Sequence, residues 1–104
     1  MAMSGFAALL FAGPAIADAD VSPGRRIAEV NCSPCHAIDR IGESPNPKSP
    51  PFRTLAKRYP LEDLEEALAE GIVVGHNGAE MPQFQLTPAQ IDRLLAYIKS
   101  ISDQ

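Results

Sequence analysis

Both cysteines of the chain and one of its two histidines lie in one five-residue segment, Cys32-Ser33-Pro34-Cys35-His36. Residues spaced i, i+3 and i+4 share one face of a helical turn, so the two thiols and the imidazole are able to approach one face of a flat ligand. The pattern C-x-x-C-H is typical of c-type haem attachment. We therefore predict that Cys32 and Cys35 hold one haem c through thioethers and that His36 is an axial ligand of its iron.

Three other chemistries use the same residue types. In an oxidising compartment Cys32 and Cys35 would form a disulfide, and the histidine directly after the second cysteine argues against this alternative. Together with His36 and His76 they make four acceptable zinc ligands, although adjacent Cys35 and His36 fit one tetrahedral shell badly. A thioredoxin-type dithiol needs a βαβ setting, and no segment of this chain has the pattern of a strand.

The first 17 residues have the pattern of an export signal. They carry no charge, and an apolar run is followed by an A-x-A cleavage site at 15–17. A basic n-region is missing. The apolar run is too short for a transmembrane helix, and a Gly-Pro pair at 13–14 interrupts it. We predict a signal peptide over 1–17, cleaved on export to the periplasm, and one domain over 18–104 without a membrane span.

Charge and size restrict the partners of this domain. The net charge is −4 and no basic stripe is present, so we do not expect a nucleic-acid partner. A domain this small buries a modest fraction of its surface and often needs a metal, a disulfide or a cofactor to fold. A covalently held haem would supply a large apolar plate for the core.

The remaining sequence predicts an all-α fold of three to four helices around one haem. Ser22 suits the N-cap and Pro23 the first position of a helix that reaches the cysteine motif, with Ile27 and Val30 facing inward. Proline and glycine then predict a long loop over 37–51. Further helices are expected over 52–59, 61–70 and roughly 88–102, where Gly71 is a C-cap candidate and Thr87 to Gln90 form a capping box.

Met81 is the predicted second axial ligand. It is the single methionine after the signal segment, and it lies beside Pro82 on a glycine-rich loop over 71–86, where its thioether is free to point at iron. His76, five residues earlier on the same loop, is the alternative. A His/His site would have a lower reduction potential than a His/Met site.

These motifs together resemble the class I c-type cytochromes of the small monohaem bacterial type, over nearly all of residues 21–102. The resemblance extends beyond the cysteine motif to other positions where that family has characteristic residues. These are Gly24, Tyr97 with Leu94 near it, and Met81-Pro82. The resemblance implies a cytochrome c-like fold in which the first and last helices cross at right angles, with Gly24 allowing close approach. The chain departs from the family at Ala28, where an aromatic residue is common.

The resemblance also implies that a proline carbonyl accepts a hydrogen bond from the ring N–H of His36 and fixes the imidazole. Pro51 is the predicted acceptor, because Pro50-Pro51-Phe52 resembles the Pro-Pro-Leu step of the family. Pro45 is the alternative.

With both axial positions filled by side chains, the iron has no vacant site for a substrate, and we predict an electron carrier rather than an enzyme. The expected donor is a dehydrogenase or a quinol-oxidising complex, and the expected acceptor is an oxidase or a reductase. One alternative is the dedicated haem subunit of a periplasmic oxidoreductase. Another is a haem-based ligand sensor in which Met81 is labile.

Overall fold

The computed structural model describes residues 20–71, 81 and 84–102. The predicted signal segment over 1–17, His76 and Pro82 lie outside the described residues. Within the described part, the chain has no strand, and the all-α prediction is confirmed. Its elements are α1 (Ser22–Asn31), a 3₁₀ turn (Phe52–Thr54), α2 (Leu55–Arg58), α3 (Leu61–Glu70) and α4 (Pro88–Ile101).

The start of α1 differs from the prediction by one residue. Pro23 lies in the first turn as expected, but the N-cap is Val21 and the Ser22 hydroxyl caps nothing. The Ser22 N–H donates instead to Asp20 Oδ1 at 2.9 Å. The Asp20 carboxylate thus satisfies a free N–H of the first turn from outside the helix, and Ser22 becomes the first helical residue.

Helix α1 packs against α4 at the position where α1 has no side chain. A Cβ atom on Gly24 would clash with the Arg93 carbonyl oxygen and would lie 2.8 Å from Tyr97 Cβ. Ala28, one turn further along α1, is fully buried in the same contact. The predicted close approach of the first and last helices at Gly24 is confirmed.

The prediction that Val30 faces inward is wrong, because this side chain is 70% exposed. Gly24 and Ala28 define the buried face of α1. Val30 follows Ala28 by two residues, which turns its side chain roughly 200° around the helix axis. Ile27, the other residue predicted to face inward, is half-buried against the core.

Helix α4 is the main wall of the core and begins at the predicted capping box. The Thr87 hydroxyl accepts from the Gln90 N–H at 3.1 Å, and the Gln90 side-chain oxygen accepts from the Thr87 N–H at 2.8 Å. Four other core residues pack with it, from α1, the loop over 37–51, the 3₁₀ turn and α2. The buried cluster consists of Ala28, Ile38, Phe52, Leu55, Leu94, Tyr97, Ile98 and Ile101.

The helix predicted over 52–59 is two shorter pieces. The chain makes the 3₁₀ turn first and then a single α-helical turn, and Pro60 follows Tyr59 before α3 begins. Helix α3 ends at Gly71, whose φ of 84° is a backbone conformation that glycine adopts without steric cost. None of the helices formed by the described residues is both long enough and apolar enough to cross a membrane.

Candidate haem site

The cysteine motif follows directly on α1 as a hydrogen-bonded turn. The Cys32 N–H donates to the Ala28 carbonyl at 2.8 Å, which extends the helical pattern by one residue. The Cys32 carbonyl then accepts from the N–H groups of Cys35, at 3.1 Å, and of His36, at 2.9 Å. Cys32, Cys35 and His36 are therefore held at i, i+3 and i+4 spacing around one turn, as the sequence predicts.

Both cysteines are half-buried free thiols, so the structure does not contain the alternative disulfide. Burial raises the pKa of the Cys32 thiol to about 11, because the thiolate is poorly solvated there. At neutral pH this thiol is therefore protonated and uncharged. Two unpaired thiols one helical turn apart are what attachment to two haem vinyl groups requires.

The imidazole of His36 is oriented by a backbone carbonyl. Its Nδ1 lies 2.7 Å from the carbonyl oxygen of Pro50. A carbonyl oxygen only accepts, so Nδ1 carries the proton of the neutral ring, and the lone pair remains on Nε2. This tautomer presents Nε2 to a metal and gives the histidine the carbonyl partner that ligating histidines generally have.

The prediction that the Pro51 carbonyl accepts this hydrogen bond is therefore wrong by one residue. The Pro51 carbonyl is used locally, because it accepts from the Thr54 N–H at 3.0 Å and from the Thr54 hydroxyl at 2.7 Å to open the 3₁₀ turn. The Pro50 carbonyl precedes that turn and remains free to face His36. Pro45, the other candidate, has no such bond to the imidazole.

The long loop over 37–51 is held beside the motif by three hydrogen bonds that the sequence did not predict. The Cys35 carbonyl accepts from the Asn46 N–H at 3.1 Å. The Ala37 N–H donates to the Ser44 hydroxyl at 2.9 Å, and the Ala37 carbonyl accepts from the Phe52 N–H at 2.8 Å. Polar residues in a proline-rich loop are the only sequence signal for these contacts.

A network of side-chain hydrogen bonds joins this loop to both of the helices that cross, α1 and α4. The Tyr97 hydroxyl lies 2.8 Å from the Ile38 carbonyl and 3.1 Å from Asp39 Oδ1. The same carboxylate accepts from the Arg25 guanidinium at 3.1 and 3.2 Å. Burial raises the pKa of Tyr97, and the hydrogen bond to Asp39 raises it further. The partners are 14 and 58 residues apart in sequence, so no local pattern predicts them.

Helix α3 supplies an apolar face that the described residues cover only in part. No residue of α3 is buried. Its leucines at 61, 64 and 68 pack against the core but are half-buried, and Met81, the predicted second axial ligand, is half-buried as well. An amphipathic helix is stabilised by burying its apolar face, and a haem is a flat apolar partner of the required kind. The apolar face of α3 and the half-buried Met81 are therefore compatible with a bound haem.

Together these features define a small helical protein with a covalent haem site. The cytochrome c family model matches residues 21–102, and the chain belongs to the cytochrome c family. Members of this family bind covalently attached haem c with its iron, and Cys32 and Cys35 stand at the attachment positions of the motif. No curated protein and no solved structure gives a significant match.

Family membership also decides between the cofactors that the sequence left open. The cofactor is haem c, which confirms the prediction against zinc and against a thioredoxin-type dithiol. A haem iron receives four of its ligands from the porphyrin, so only axial side chains are needed from the protein. Cytochromes c transfer electrons to and from redox partners and are typically carriers rather than enzymes.

Proposed function

We propose that this cytochrome c carries one electron in the periplasm on a haem whose iron is ligated by His36 and Met81. The observation that carries the proposal is the 2.7 Å contact from His36 Nδ1 to the Pro50 carbonyl, because it leaves Nε2 available for iron. The haem, when bound, supplies a one-electron couple. The chain binds it at Cys32 and Cys35, orients the imidazole and excludes water.

Met81 would contribute mainly to the reduction potential. A thioether is a soft ligand that favours the ferrous state, so a His/Met site has a higher potential than a His/His site. Its half-buried position also restricts water at the ligand. With side chains at both axial positions, the iron keeps no position for a substrate, and we propose that the protein is not an enzyme.

The ligand assignment is tested by comparing Met81→Ala with His76→Ala in the haem-loaded protein. Met81→Ala should abolish the weak red absorption band of ferric iron–thioether coordination and should lower the reduction potential. His76→Ala is the matched control on the same loop and should change neither. Loss of the native spectrum in His76→Ala, with an unchanged spectrum in Met81→Ala, would assign the position to histidine and contradict the proposal.

The free-shuttle role is tested by the size of the native protein. We propose that it moves between a donor, either a dehydrogenase or a quinol-oxidising complex, and an oxidase or a reductase as acceptor. Gel filtration of a native extract should then give a haem peak at the mass of one chain. A haem peak only at high mass would instead support the dedicated subunit of an oxidoreductase.

A sensor role differs from both because it requires a labile axial ligand. Ferrous protein with a closed His/Met site should bind carbon monoxide poorly at neutral pH. Ready binding would favour a sensor in which Met81 dissociates. Export is tested separately, since N-terminal sequencing of the haem protein in the periplasmic fraction should begin at Asp18, directly after the predicted cleavage site.

A further inference from the structure

The hydrogen bond to Pro50 does not by itself fix the orientation of the His36 ring plane. At 2.7 Å the bond holds Nδ1 near the Pro50 carbonyl oxygen. A hydrogen bond tolerates some departure from linearity, so the imidazole plane is still able to turn over a limited range about the Cβ–Cγ bond before the bond weakens, at an N–H···O angle below about 120°. A second contact, sensitive to the orientation of the plane, is needed to fix it.

Phe52 makes that contact. Its ring centroid lies 5.2 Å from the centroid of the His36 ring, and the two planes are inclined at 52°. This distance is within the range in which aromatic pairs attract one another through a tilted arrangement, and such pairs have a preferred relative orientation. Rotating the imidazole would therefore change its contact with Phe52 while leaving the bond to Pro50 in place.

Phe52 is itself held firmly. Its side chain is 4% exposed and belongs to the buried cluster that α4 dominates. Its N–H donates to the carbonyl of Ala37, the residue directly after His36, at 2.8 Å. One residue thus braces the backbone next to the histidine and touches the histidine ring.

We propose that Phe52 is a positioning residue that sets the plane of the axial imidazole relative to the haem. The inference rests on the proposed function, because it requires His36 to ligate the iron. The imidazole plane determines how the ligand π orbital overlaps the iron d orbitals. It therefore contributes to the g-value anisotropy of low-spin ferric iron and to the spread of the haem methyl resonances.

The test compares three variants of the haem-loaded protein. Phe52→Leu removes the ring and restores the residue type of the Pro-Pro-Leu step that this segment resembles, so the variant should still pack. Phe52→Tyr keeps the ring. Ile101→Val is the control, because it trims a buried core residue at the far end of α4. Electron paramagnetic resonance and proton nuclear magnetic resonance of the ferric proteins report the ligand plane.

Phe52→Leu should shift the g values and the spread of methyl resonances, while the iron–thioether band remains and Phe52→Tyr stays close to wild type. A shift in Phe52→Leu no larger than in Ile101→Val would overturn the inference. An equal shift in Phe52→Tyr would also overturn it, because the ring would then not matter. A wild-type spectrum without an axial histidine would instead contradict the proposed function itself.

Discussion

The contact between α1 and α4 and the half-buried apolar face of α3 show two ways in which helices of one small domain are stabilised. At the crossing, Gly24 and Ala28 are buried against α4, and Leu94 and Tyr97 are only 2% and 4% exposed. Helix α3 has the same length as α1, yet none of its residues is buried. The polypeptide alone completes the contact between α1 and α4. Helix α3 instead has an apolar face that fits the haem.

This difference separates residues that stabilise the fold from residues that shape the haem environment. Substitutions at the crossing should lower the free energy of unfolding and leave the reduction potential unchanged. Substitutions on the apolar face of α3 should alter the potential, because the haem would lose apolar cover and gain water. Helix α4 contributes to both the helix crossing and the contact with α3. The two regions are therefore distinguishable only when the unfolding free energy and the reduction potential are both measured on each variant.

The largest effect on stability is expected for Leu94→Ala. Leu94 is the largest fully buried side chain among the described residues, and its truncation should cost about 4 kcal/mol of unfolding free energy in the haem-loaded protein. Leu64→Ala, on α3, should cost less and should change the reduction potential, which Leu94→Ala should leave near wild type. Denaturant unfolding and potentiometry check the pair. Equal potentials in the two variants would remove the distinction between the regions.

The next effect concerns the two glycines Gly24 and Gly42. Gly24→Ala should cost about 3 kcal/mol, because its Cβ meets a backbone carbonyl of α4 that has no room to move. Gly42 has a φ of 102° but nothing within 4 Å of a built Cβ, so Gly42→Ala should cost about 1 kcal/mol through backbone strain alone.

Asparagine separates the two causes, since it tolerates the left-handed region. Gly42→Asn should recover part of the loss measured for Gly42→Ala, whereas Gly24→Asn should be at least as destabilising as Gly24→Ala. Unfolding by denaturant gives all four values. Recovery at Gly24 would mean that the helix crossing is looser than the contact with Arg93 and Tyr97 indicates.

An effect as small as that of Gly42→Ala is expected for Tyr97→Phe, which removes the hydroxyl that contacts Ile38 and Asp39. The loss should be about 1 kcal/mol near pH 7. The pKa of Tyr97 is raised in the folded protein, mainly by burial. The stabilising protonated form is therefore fully populated below the unfolded pKa of about 10, and its contribution is lost as the pH rises through the folded pKa.

The difference in unfolding free energy between wild type and Tyr97→Phe should accordingly shrink above about pH 10, because the unfolded tyrosine ionises there before the folded one. Denaturant unfolding of both proteins at a series of pH values checks this. The other ionisable groups are the same in the two proteins, so their titration largely cancels. A difference that stays constant to higher pH would show that the hydroxyl is not coupled to the fold.

The sequence predicted the features that depend on local pattern. The capping box at Thr87, the C-cap at Gly71 and the close approach at Gly24 each follow from residue types that only a few backbone conformations or contacts favour, and the structure has all three. The family relation was equally readable, because the C-x-x-C-H turn is a short contiguous motif.

One error arose where two neighbouring residues are chemically alike. Two adjacent prolines offer nearly equivalent carbonyls, and only the 3₁₀ turn, which engages Pro51, leaves Pro50 for His36. Val30 was misassigned because the small residues of α1, rather than its larger apolar ones, form the buried face. The contacts of Asp39 join distant segments, and a single sequence carries no signal for such pairs.

The most direct test of covalent haem attachment is the state of the cofactor in the purified native protein. Intact-mass spectrometry under denaturing conditions, with a pyridine haemochrome spectrum of the same sample, reports how many haems are attached and whether both vinyl groups have reacted. We predict one haem per chain, retained on denaturation, with two thioethers at Cys32 and Cys35. Haem that is extracted by acidified solvent, or a chain that carries none, would contradict it.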